Sequence, residues 1–216
     1  DPGARHLNNA LGGGGIMDLG CYCMSMARLI AGADQGRDFA DPIEVKGVGH
    51  LGDITRVDEW ALADCRFPGD IVAQLCCGLQ VDGESVVRIW GSAGHILVPT
   101  PWFPARHGGT STILVTPQDG EPQEIVIAAD RELYAIEADT VAQCIPQRQA
   151  AAPAMSWEDS LGNMRALDQW RAQIGLSYDC EQPANITTTV AGLPLAVRAD
   201  ADMPAEGGAG ERPPCD

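Results

Sequence analysis

"ALADCRFPGDIVAQLCCGLQV", Ala61 to Val81, is the stretch whose reading decides the fold. Ala61, Ala63, Cys65 and Phe67 alternate with Leu62, Asp64 and Arg66. Ile71, Ala73, Leu75, Cys77, Leu79 and Val81 make the cleanest two-residue period in the chain, as expected of strands with one buried face. Between the two runs stands Pro68-Gly69-Asp70, a turn signal. So short a link leaves no room for a crossover helix, and the two runs read as an antiparallel hairpin.

The same pattern spreads outward. Ile43, Val45, Gly47, Gly49 and Leu51 alternate through another strand. Val86–Trp90 and His95–Val98 flank a Gly91–Gly94 turn, and Ser111–Thr116 and Glu124–Ala128 flank Asp119-Gly120. These strands, about seven with short links, suit a meandering, largely antiparallel sheet rather than βαβ units. Three helices frame them. Ile16–Ala31 reads as the first, with Gly32 as its stop and Ile16, Leu19, Cys23, Met26, Ala27 and Ile30 on one face at about 100° per residue. Asp18, Tyr22, Ser25 and Leu29 share another face. Glu132–Ile145 is the second helix. The third runs from Ser156 to Ile174, with Ser156-x-x-Asp159 resembling a capping box and Gly175 ending it. The expected class is α+β in two layers: an open sheet of six to seven strands with helices packed on one face. Residues 1–11 read as an irregular lead-in. A domain of residues 1–178 is expected, followed by a Pro-, Gly-, Ala- and acid-rich tail or linker, 179–216, too poor in apolar side chains to fold.

Charge and cysteine usage narrow the function. A net charge of −16 over 216 residues repels phosphate backbones and anionic membrane surfaces, so neither nucleic acid nor membrane is expected as a partner. No uninterrupted apolar run approaches the roughly 18–20 residues of a membrane span. Most of the 8 cysteines lie inside apolar runs and no export signal is visible, which reads as reduced thiols in a cytoplasmic protein. Cys21-x-Cys23 has no second Cys/His pair at ligand spacing, and the histidines are scattered, so no metal site is expected.

"GGGGIMDLGCY", Gly12 to Tyr22, invites a dinucleotide loop. The G-x-G-x-x-G pattern fails at every start: its last glycine would replace Met17 or Asp18, or its second would replace Ile16 or Met17. No strand pattern precedes the run, and no G-x-x-x-x-G-K-[ST] occurs. Asp18 and Tyr22 stand four apart and can reach a common ligand, the phenol exchanging a proton and the carboxylate holding a hydroxyl. The same spacing also suits a helix-start acid favoured by the dipole beside a half-buried Tyr.

Four stretches in order resemble the C-terminal domain of the Gfo/Idh/MocA oxidoreductases, the family of glucose–fructose oxidoreductase, inositol dehydrogenase and the trans-dihydrodiol dehydrogenases. "GGGGIMDLGCYCMSMARLIAG" is similar to its G-G-G-x-x-x-D-x-G-x-[HY] helix. "DEWALADCRFPGDIVAQLCCGLQV" resembles its paired strands, although Gly69 and Asp70 stand in reversed order after Phe67-Pro68. "VVRIWGSAGHILVPTPWFP" and "SWEDSLGNMRALDQWRAQIGLSY" resemble its later hairpin and closing helix. The resemblance implies a fold like the C-terminal domain of glyceraldehyde-3-phosphate dehydrogenase, lacking the N-terminal Rossmann domain. It implies an NAD(P)-dependent oxidation or reduction of a CH–OH group on a sugar, polyol or dihydrodiol, with no metal. Asp18 then corresponds to the substrate-orienting acid and Tyr22 to the proton-transferring His or Tyr. Trp102, Phe103, Arg106 and His107, which follow the last strand of a hairpin, read either as an edge of the substrate pocket or as an exposed loop with an aromatic anchor. No cofactor-binding residue is expected in this chain, whose one lysine, Lys46, lies in a strand, and which carries no Glu-Lys-Pro. The chain is therefore expected to be the substrate-binding and oligomerisation part of such an enzyme, a fragment inactive by itself. The alternative is a stand-alone, non-catalytic binding or assembly module. A homo-oligomer is expected through the sheet face bearing Val72, Gln74, Cys76, Gly78 and Gln80.

Overall fold

The structure, a computed structural model, describes residues 4–150, 154–182 and 185. The chain divides into two units at Ser177/Tyr178. In the second, the described residues form a single turn, Asp179–Glu181. The rest of the tail expected over 179–216 lies outside the described residues, apart from Gln182 and Asn185.

In the first unit the hairpin reading holds. β1 (Glu44–Leu51), β2 (Asp58–Arg66) and β3 (Val72–Gly78) form an antiparallel sheet in that order. Val45 faces Cys65, Ala63 faces Leu75 and Ala61 faces Cys77, which puts the expected inward residues in one plane of side chains. Gly69 and Asp70 take the left-handed conformation at the turn, and the Phe67 N–H donates to the Ile71 carbonyl at 2.8 Å. α1 (Cys21–Asp34) packs on β3, α2 (Leu133–Cys144) comes later in the chain, and α3 (Trp157–Ile174) packs on β1 and against α1. Between sheet and helices lie Ile16, Met24, Ala31, Ala61, Ala63, Phe67, Leu167 and Trp170. Trp170 is fully buried and donates its indole N–H to the Leu62 carbonyl at 3.1 Å. A Cβ at Gly47 would come within 2.7 Å of the Trp170 ring, so the small residues of β1 are the seat of this one large side chain.

The other strands form a second antiparallel ladder: β4 (Val87–Gly91), β5 (Gly94–Val98), β6 (Gly109–Pro117) and β7 (Gln123–Ala129). The class is α+β with seven strands, but the meander splits after β3. The Leu79 and Gln80 N–H groups both turn onto the Glu59 carbonyl, at 2.8 and 3.3 Å, which takes the chain off the ladder into the irregular stretch 82–86. No residue of β4–β7 or α2 is buried.

Two helix expectations are corrected. Gly32 does not end α1, which continues to Asp34. Gly32 is instead a contact point, where a Cβ would lie 2.5 Å from the Phe39 backbone. The inward stripe also runs through Ile16, Gly20, Met24, Ala27 and Ala31, whereas Leu19 is exposed. Its cause is a π-helical turn, Ile16–Gly20, ahead of α1. Such a turn takes more residues per revolution than an α-helix and so rotates the helix downstream of it. The helical stretch Asn9–Asp34 is also, by length and composition, apolar enough to cross a bilayer, contrary to the sequence expectation. Its inner face here lies in the core described above.

Candidate active site

The glycines of the opening stretch shape the entry to the π turn. Their amides are committed to the protein itself. Gly12, Gly13 and Gly14 donate to the carbonyls of Asn9, Asn8 and His6 at 3.1, 3.0 and 2.8 Å. Gly15 and Ile16 donate to the carboxylate of Asp58, the Ile16 bond being 2.7 Å. A pyrophosphate needs such amides unpaired and finds an acid behind them, so the loop does not fit a dinucleotide. Gly14, at φ +113°, packs so closely on Asp58 that a Cβ would collide with its carboxylate.

No sequence pattern singles out Asp58. Counted by alternation from Ala61, position 58 should point outward. A bulge between His50 and Leu51, opposite Trp60 and Asp58, reverses the phase and buries it completely. Burial pushes its carboxyl up to about 6, against the opposing pull of the Ile16, Asp58 and Gly15 amides and the Arg171 charge. An unfolded Asp titrates near 3.9, so between about pH 4 and 6 the folded state binds the extra proton. This group's contribution is therefore full below about pH 4 and is lost as pH rises through 6, about 3 kcal/mol in all. Asp58→Asn should remove that slope. Urea midpoints across pH 4–7, wild type against variant, will show it, and parallel curves would place the titration elsewhere.

On the π turn and the start of α1 stand Asp18 and Tyr22. The Tyr22 side chain is 58% exposed, and its ring centre lies 6.3 Å from that of Trp102, with the planes tilted by 49°. Partial burial raises the phenol above its usual range, and the charges of Cys21, Asp18, Glu137 and Tyr134 push the same way. Tyr22 is therefore a neutral proton donor near pH 7. Asp18 accepts a hydrogen bond from Arg5 at 2.5 Å. Sequence reasoning passes over Arg5, whose place in an irregular lead-in gives no spacing to read, and over Tyr134 and Glu137, which α2 brings near Tyr22.

The structure thus brings Asp18, Tyr22 and Trp102 together. Arg106 is exposed, with its guanidinium 4.6 Å from the ring centre of Phe103, and His107 is exposed beside it. Among the described residues no three His, Cys, Asp or Glu side chains converge on a metal-sized site.

Residues 1–97 match the family model of the GFO/IDH/MocA C-terminal domain. The trans-1,2-dihydrobenzene-1,2-diol dehydrogenase of Xenopus laevis is 27% identical over 177 residues, covering 81% of this chain and 51% of its own. That of Mus musculus is 25% identical over 179 residues, covering 82% and 50%. The chain thus spans about half the length of these curated relatives. Among solved structures, the aldose-aldose oxidoreductase of Caulobacter crescentus, complexed with glycerol, superposes with a TM-score of 0.64 at 21% identity, over 80% of this chain and 49% of its own. A 3-ketoreductase from Actinomadura kijaniata, solved with NADP and TDP-benzene, gives 0.65 at 22% over the same shares. At these identities the superpositions establish the fold.

Proposed function

We propose, from the match of residues 1–97 to the GFO/IDH/MocA C-terminal domain model, that Asp18 and Tyr22 form the substrate side of an NAD(P)-dependent oxidoreductase acting on a CH–OH group of a sugar, polyol or dihydrodiol. The observation that carries this reading is an exposed phenol and a carboxylate four residues apart at one helix start, with the Trp102 ring centre 6.3 Å from that of the phenol. Asp18 would accept a hydrogen bond from one substrate hydroxyl. The Tyr22 Oη would give a proton to, or take one from, the oxygen at the reacting carbon. Its raised pKa keeps the phenol protonated near pH 7, as the reducing direction requires; the oxidising direction needs a cation beside the phenol.

The dinucleotide belongs to a part of the enzyme other than residues 4–182 in this proposal, since the glycine amides are committed and no dinucleotide motif occurs in the sequence. By itself this chain would then bind substrate without turning it over. The relatives bear names of oxidoreductases acting on diols, aldoses and keto groups, which supports the substrate class. Val72, exposed on the outer face of β3, and the uncovered strands β4–β7 support homo-oligomer assembly. Seven free cysteines among the described residues support a reducing, cytoplasmic setting.

The test is nicotinamide reduction or oxidation by the enzyme carrying this domain together with a dinucleotide-binding domain, offered trans-dihydrodiols, aldoses and polyols. Asp18→Asn should raise KM for the active compound by about 10- to 100-fold, the worth of one charged hydrogen bond. No turnover of any CH–OH compound, or an unmoved KM, would sink the reading.

A further inference from the structure

Arg5 lies outside every motif, yet its position is built. Asn9 fixes the lead-in by donating its amide to the carbonyls of Arg56 and Ser177, both at 2.9 Å. The chain then doubles back on itself. Gly13 donates to Asn8 and Gly14 to His6, which lays residues 5–8 along the glycine run. Gly13 permits that approach: a Cβ there would stand 2.7 Å from the Arg5 carbonyl and 2.6 Å from that of His6. The outcome is an arginine carried to within 2.5 Å of a carboxylate 13 residues away.

We propose that Arg5 is a positioning residue of the site, delivered by the glycine run to hold the Asp18 carboxylate and to offset its charge beside the Tyr22 phenol. The proposal rests on the reading of Asp18 and Tyr22 as substrate groups. Around Tyr22, partial burial and then Cys21 and Asp18 from its own helical stretch and Glu137 and Tyr134 from α2 all disfavour the charged phenolate. Arg5 is the cation paired with Asp18. With one carboxylate oxygen engaged, Asp18 keeps its other oxygen for a substrate hydroxyl.

The test separates this role from the activity. Tyrosine labelled with carbon-13 at the ring carbon bearing the hydroxyl reports each phenol's titration by NMR, and Tyr22→Phe assigns the Tyr22 signal. Arg5→Ala should move the Tyr22 midpoint up by about half a unit, Arg5→Lys should restore most of it, and 1 M salt should shrink the difference, as for partly exposed charges. An unmoved midpoint in Arg5→Ala would overturn the proposal. In the active enzyme Arg5→Ala should raise KM more than it lowers kcat, with Arg5→Lys recovering part of the loss; a loss in kcat alone would overturn the positioning role. A shifted midpoint in a protein that turns over no CH–OH compound would keep the Arg5–Asp18–Tyr22 coupling and sink the oxidoreductase reading instead.

Discussion

Tyr22→Phe will lower turnover of the enzyme by about 100- to 10,000-fold, the usual worth of a positioned proton donor, and leave substrate binding nearly unchanged. The substitution removes one oxygen and keeps the ring, so the tilted contact with Trp102 survives. The side chain is largely exposed and the core does not lean on its hydroxyl, so the fold should not respond. In the role proposed for Tyr22, what is lost is the proton-shuttling group, and with it the limb of the rate–pH profile that belongs to the phenol. Steady-state kinetics from pH 6 to 10 provide the measurement. Near-normal turnover with the limb intact would remove Tyr22 from the chemistry.

Arg28→Ala will cost about 3–5 kcal/mol of stability, the range for stripping one partner from a buried ion pair, and about 10 °C or more in Tm for a chain of this size. Arg28 sits in the middle of α1 with its side chain 3% exposed. It pairs with Asp159, whose side chain is 1% exposed and whose backbone carbonyl accepts a further bond at 3.0 Å. Its other nitrogens donate to Asp41 at 2.7 and 3.0 Å, and its guanidinium lies 5.6 Å from the ring centre of Phe39. Gly162 makes room, because a Cβ there would stand 2.6 Å from Asp41. With the arginine gone, Asp159 is a buried carboxylate without its cation. Burial already holds its carboxyl above the ordinary range, against the pull of Arg28. Arg28→Met combined with Asp159→Leu should recover most of the loss, since the pair is then removed together. Chemical denaturation of both variants beside wild type decides it. An Arg28→Ala protein as stable as wild type would show that the pair carries no net weight.

Periodicity makes the three-stranded sheet legible because Ala61, Ala63, Cys65, Leu75 and Cys77 face one layer, and alternation is what burial on one side imposes. The strands of the second ladder are legible to within two residues through their turns, since Gly94 and the Asp119-Gly120 pair mark the reversals whatever covers the faces. The break between the ladders is not legible. It depends on two amides sharing one carbonyl of Glu59, which no local pattern announces. Asp58 and Asp159 are hidden for different reasons. A bulge reverses the phase around the first. The second reads as half of a capping box. Ser156 does accept from the Asp159 N–H at 3.2 Å, but the carboxylate crosses to Arg28. An arginine amid "MARLIAG" is the available signal for both ends of that bridge.

The π turn has a consequence for how this domain can vary. The core stripe and the Asp18–Tyr22 pair share one helical stretch, and the wide turn from Ile16 to Gly20 fixes the angle between them. Gly20 seals that angle from below, where a Cβ would press to 3.0 Å on Trp170. Deleting one residue from the turn would restore an ordinary helix and rotate the side chains ahead of the deletion against the downstream core stripe by roughly 100°. The length of this segment is therefore held as tightly as its glycines: a change of one residue of backbone trades the present alignment for a more regular helix.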